Sequence, residues 1–158
     1  LFGTIDCARA CIPAMFAQEQ RDRWRGQIMI VSSCLARRSP PYFGAYAATK
    51  AAQLSLAESL RLELSAKLIA VTSVHPIGTA TEFRSAAQRA SRTKSEFSAP
   101  GPTQSAEQVA TAMVRAIERP RPEVWPSPLS RVLFGIATLM PRMVDWYLRR
   151  RPQVTLGD

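Results

Sequence analysis

The sequence predicts an α/β fold built on a parallel sheet. Ile28-Met29-Ile30-Val31 and Leu68-Ile69-Ala70-Val71-Thr72-Ser73-Val74 are apolar runs with almost no polar alternation, as expected for strands covered on both faces. Between them, Ala45 to about Ala66 repeats apolar residues at helical spacing, a connection long enough to join two parallel strands.

Each element has its own signal. Residues 1–19 read as a helix, with a kink expected at Pro13, and Glu19 to Arg23 form a polar connection. Trp24 and Gly26 lead into the first strand, and Arg37, Arg38, Ser39, Pro40 and Pro41 mark residues 36–44 as a loop. The helix at 45–66 carries Tyr46, Lys50, Ala57, Leu60 and Leu64 on one face and Ala51, Leu54 and Leu62 on another, so burial is expected on two sides. His75-Pro76 ends the second strand. Residues 82–103 hold few large apolar side chains and are expected to form a lid. Ser105-Ala106-Glu107-Gln108 is a capping box, followed by an expected buried stripe of Val109, Ala110, Met113, Val114 and Ile117, until Pro120 stops the helix. A short third strand is placed at Glu123-Val124-Trp125. The tail, 129–151, is an amphipathic extension interrupted by Pro141; its apolar run is shorter than the ~20 residues of a membrane span.

Composition narrows the function classes. The 158 residues and a hydrophobic fraction of 46% suit one domain. The net charge of +9 comes almost wholly from Arg, spread along the chain without a nucleic-acid-binding module, so no nucleic-acid partner is expected. Arg149-Arg150-Arg151 is the one basic cluster. Three Cys without a secretory signal point to free thiols in a reducing, cytoplasmic compartment. One His and no Cys-x-x-Cys supply no metal-ligand set, so no metal is expected.

The residues that speak of chemistry are Ser33, Tyr46 and Lys50. A phenol titrates near ~10 in water and needs a neighbouring cation to exchange protons at neutral pH. Lys50, four residues after Tyr46, lies on the same helical face. Ser33 closes the first apolar run, at the carboxyl end of a strand, where open α/β sheets bind ligands. Taken singly, each residue has an ordinary structural explanation: helical neighbours for Tyr46 and Lys50, turn chemistry for Ser33.

In this order and spacing, with Pro76 after the second strand, the three resemble the catalytic signature of the short-chain dehydrogenase/reductase family, over residues 1 to about 118. The resemblance implies the C-terminal part of a Rossmann-like doubly wound parallel sheet. It implies an oxidoreductase using NAD or NADP to interconvert an alcohol and a carbonyl by hydride transfer. Tyr46 would be the acid/base, Lys50 would lower its pKa and hold the nicotinamide ribose, and Ser33 would bind the substrate oxygen. Tyr46, Lys50, Pro76, Gly78, Thr79 and Thr81 would contact the cofactor, and Cys34, Leu35, Tyr42 and Phe43 the substrate. Thr81, five residues after Pro76, would meet the nicotinamide carboxamide or the phosphates. Ile77 stands where the family usually has Gly, so the backbone path at Gly78 and Thr79 departs from the pattern. A homo-oligomer is implied for the full-length protein.

The family's glycine-rich phosphate loop has no counterpart in this chain, whose seven Gly are all isolated. A pyrophosphate cradle needs them clustered. Residues 1–158 are therefore expected to be the C-terminal portion of a single dinucleotide-binding domain, and when isolated to be insoluble, partly disordered or dependent on a partner. Two alternatives stay open: a non-catalytic subunit-interaction module, and peripheral membrane association through the basic C-terminal helix.

Overall fold

A computed structural model describes residues 1–21, 23–41, 43–82 and 103–150. Tyr42, Arg151 and nearly all of the expected lid lie outside the described residues.

The main sheet has the order β1 (Gly26–Val31), β2 (Ile69–Val74), β5 (Glu123–Val124), and both pairings are parallel. Helix α2 (Gly44–Ser65) crosses from β1 to β2, and all six residues of β2 are buried. Side-chain alternation sorts the core into two faces. On one, Ile30, Ile69 and Val71 pack with Ala57 and Leu64 of α2, joined by Ile12 and Met15 of α1 (Phe2–Ala17). On the other, Val74 and Val124 pack with Met29 and with Ala116 of α3 (Ala106–Glu118). Helices thus cover both faces, the α/β arrangement the apolar runs require. Gly26 lets α1 come close: a Cβ there would lie 2.9 Å from both Cγ and Sδ of Met15.

Ala57 is fully buried where α2 meets the strands. Ala57→Leu adds three carbons to a filled contact and is expected to cost ~1–3 kcal/mol, read as a lowered urea midpoint at unchanged slope.

Several expectations need correction. Leu62 is 78% exposed, because α2 meets the sheet on one side only among the described residues. Val114 and Ile117 are 53% and 59% exposed: α3 meets the sheet through Ala112, Met113 and Ala116, small or flexible residues that admit a close approach. Leu68 does not belong to β2. It sits at φ 58°, a left-handed turn position after α2 that seldom takes a non-glycine residue. A second sheet pairs β3 (Gly78–Ala80) in parallel with β4 (Thr103–Ser105), although neither segment has a strand-like pattern. The capping box at Ser105 and Gln108 is present. The tail forms α4 (Pro128–Leu139) and α5 (Pro141–Arg149), divided at Pro141 as expected. Arg38 ion-pairs with Asp145, tying α5 to the loop after β1.

Candidate active site

Ser33, Tyr46 and Lys50 come together at the carboxyl end of β1. Two hydrogen bonds fasten the strand end to the helix. Ser32 Oγ donates to the Lys50 carbonyl at 2.8 Å, and Lys50 Nζ donates to the Val31 carbonyl at 3.0 Å. The ammonium lies 5.8 Å from the centroid of the Tyr46 ring. The Phe43 ring meets Tyr46 edge-on at 6.5 Å. Ser33 is extended and buried, and its Oγ accepts from the Leu35 amide at 3.2 Å.

Electrostatics set the protonation state. Burial raises the Tyr46 phenol above its ordinary value, while a side-chain hydrogen bond with Ser33 pulls it the other way. Burial also lowers Lys50. The phenol is therefore protonated at neutral pH, with a cation nearby.

Of the residues assigned to substrate, Cys34 is buried in a short 3-10 turn (Cys34–Ala36), and burial pushes its thiol up to about 11. Leu35 and Phe43 are half-buried around the same turn. Of those assigned to cofactor, Pro76 adjoins Ser33, its carbonyl accepting from the Cys34 amide at 3.0 Å. Thr79 Oγ1 donates to the Ile77 carbonyl at 2.9 Å and accepts from Gln104 Nε2 at 3.3 Å. Gln104 is buried, and its Oε1 lacks a hydrogen-bond partner among the described residues. That unused acceptor beside Thr79 suits an amide donor such as a carboxamide N–H. Gly78 lies in β3, and Thr81 is exposed just beyond it. Among the described residues, no cluster of three or more His, Cys, Asp or Glu could hold a metal.

Sequence reasoning passed over one neighbour. His75, assigned only to a strand end, is fully buried, with Nδ1 3.2 Å from the Ser33 carbonyl oxygen and its ring stacked on Trp125. The Trp125 indole donates to Glu123, which also pairs with Arg37 at 2.5 Å. A lone His closing an otherwise apolar strand was the available signal.

Burial holds His75 below its ordinary 6.5; Ser33, Glu123 and Glu58 pull upward, and Arg37 pushes down. The unfolded imidazole therefore binds a proton at a pH where the folded one does not. Its stabilising contribution is complete above 6.5 and declines as the pH falls toward the folded value. Urea midpoints are expected to drop from neutral pH toward ~5.5, and His75→Asn to flatten that window. Glu123 is coupled to His75 through charge. Burial pushes its carboxyl up, but Trp125 and Arg37 bring it below the ordinary 4.5, so its contribution is lost only in stronger acid.

Fold and site together define a family. Residues 1–92 match the model described as short chain dehydrogenase, and the chain belongs to that family. It is 28% identical over 156 residues to a dehydrogenase/reductase SDR family protein 7-like of Anopheles gambiae, covering 96% of this chain and 47% of that protein. It is 38% identical over 76 residues to an uncharacterized NAD-dependent oxidoreductase of Mycobacterium tuberculosis, covering 48% and 26%. Among solved structures, a short chain dehydrogenase from Burkholderia cenocepacia in complex with NADP superposes with a TM-score of 0.71 at 26% identity, over 96% of this chain and 56% of that one. The chain thus spans about half the length of the curated relatives it matches along its whole extent.

Proposed function

We propose that the full-length protein is an NAD- or NADP-dependent oxidoreductase that interconverts an alcohol and a carbonyl, with Tyr46 as acid/base. The observation that carries this reading is the meeting of a protonated, half-buried phenol, a Ser hydroxyl and an ammonium at one strand end. The NADP-bound structural neighbour and the relative named as NAD-dependent support it. When bound, the nicotinamide supplies or accepts the hydride. Tyr46 gives the substrate oxygen its proton during reduction and takes it back during oxidation. Ser33 hydrogen-bonds the same oxygen. Lys50 would stabilise the phenolate and bind the ribose, and Thr79 and Gln104, with Pro76, Gly78 and Thr81, would hold the nicotinamide end. Substrate enters over Cys34, Leu35 and Phe43. The free thiols are in keeping with a cytoplasmic setting. Titration with NADPH, followed by nicotinamide fluorescence, tests the reading: saturable enhancement is expected, and no binding by the full-length protein would favour the interaction-module alternative.

A second surface supports a subunit contact. Leu129, Val132, Leu133, Ile136 and Leu139 form an outward apolar stripe on α4, and Met143, Trp146 and Tyr147 of α5 are also exposed. Monomers rarely leave such a surface uncovered. We assign it to a second copy of the protein. Ile136→Glu is expected to shift the sedimenting species to a lower mass. Unchanged mass, with sedimentation on anionic vesicles, would place the stripe on a membrane instead; no described helix is long and apolar enough to cross one.

A further inference from the structure

His75 is the one histidine of the chain, and its ring is fixed on three sides. Nδ1 lies 3.2 Å from the Ser33 carbonyl oxygen, Nε2 lies 3.0 Å from Ser73 Oγ, and the face stacks on Trp125 with centroids 4.5 Å apart. A carbonyl oxygen only accepts, so the first contact is a hydrogen bond only with a proton on Nδ1. The Ser73 hydroxyl has two acceptors within reach, Nε2 at 3.0 Å and the Pro122 carbonyl at 3.4 Å. Donating to the nearer one leaves Nε2 bare and satisfies both ring nitrogens. An imidazolium would drive Ser73 onto the longer contact and place a charge at full burial. Glu123 of β5 and Glu58 of α2 favour that charge, and Arg37 opposes it.

The residue held by this ring matters more than the ring itself. The peptide plane between Ser33 and Cys34 is gripped at both polar groups by consecutive residues: its carbonyl by His75 Nδ1, and its amide by the Pro76 carbonyl. The Leu35 amide then fixes Ser33 Oγ.

We propose that His75 is a positioning residue: the neutral Nδ1–H tautomer holds the Ser33 carbonyl and thereby sets the backbone from which the Ser33 hydroxyl meets Tyr46 and the substrate oxygen. This rests on the hydride-transfer reading for its purpose, but its geometry is testable without activity.

The test compares His75→Leu, which keeps bulk and removes the donor, with His75→Asn, whose side-chain amide can place an N–H near the position of Nδ1. In the full-length protein, with NADPH and a panel of ketones and aldehydes including acetophenone, His75→Leu is expected to lower kcat about tenfold or more with the KM for NADPH unchanged, and His75→Asn to restore most of it. The imidazole nitrogen-15 spectrum, assigned by its loss in His75→Asn, is expected to show Nδ1 protonated and Nε2 bare at neutral pH. Leu35 amide exchange is expected to speed about tenfold in His75→Leu and not in His75→Asn. An Nε2–H tautomer, an imidazolium at neutral pH, or equal behaviour of the two variants overturns the proposal. Should even the unaltered protein oxidise no NADPH with any of these carbonyls, the hydride-transfer reading fails instead, and the spectrum and the exchange rates alone decide the role of His75.

Discussion

Tyr46→Phe is expected to lower kcat for carbonyl reduction by on the order of a thousandfold in the full-length protein, with little change in the KM for the carbonyl. The substitution removes one oxygen and keeps the ring, so the edge-on packing with Phe43 survives. In the proposed mechanism, what is lost is the proton that reaches the substrate oxygen as the hydride arrives. Because burial raises the phenol, it stays protonated across neutral pH. Reduction is therefore expected to be flat through that range, and alcohol oxidation, which needs the phenolate, to climb with pH. Steady-state rates of the unaltered protein and of the variant across pH check both statements, and a Phe enzyme turning over at the unaltered rate would remove Tyr46 from the mechanism.

The second large effect belongs to Lys50→Met, which keeps the length of the side chain and removes its charge. The ammonium lies 5.8 Å from the centroid of the Tyr46 ring, close enough to favour the phenolate over the phenol. Its loss is expected to slow the proton-transfer step by on the order of tenfold or more. In the oxidation direction, the rise in rate is expected to move to higher pH. The strand-end fastening from Ser32 uses the Lys50 backbone carbonyl, so the fold keeps that bond. The Val31 carbonyl, at an exposed position, exchanges its ammonium donor for water. A variant that loses activity without any change in its pH profile would assign Lys50 to cofactor binding alone.

The fold was legible where periodicity was strong. Ile28 to Val31 and Ile69 to Val74 announce buried strands because a strand covered on both faces cannot alternate with polar residues. The Tyr46-to-Lys50 spacing announces a shared face because helical geometry is fixed. The sequence was silent where tertiary contacts decide. The pairing of Gly78–Ala80 with Thr103–Ser105 joins segments more than twenty residues apart, each too short and too polar to read as a strand. The exposure of Val114 and Ile117 follows from α3 meeting the sheet through Ala112, Met113 and Ala116, which no local pattern records. In the site, the three residues at characteristic spacing could be named beforehand. Gln104 and His75 could not, since their partners, Thr79 and Ser33, come from segments distant in the chain. The effect of burial on Tyr46 was also hidden. Residue types suggested only that Lys50 lowers the phenol, whereas the packing around the ring raises it.

The most direct measurement is a crystal structure of the full-length protein with NADP and an unreactive ketone analogue. The ketone oxygen is expected at ~3 Å from both Tyr46 Oη and Ser33 Oγ, with the Lys50 ammonium beside the ribose. A ketone oxygen bound out of reach of both hydroxyls would contradict it.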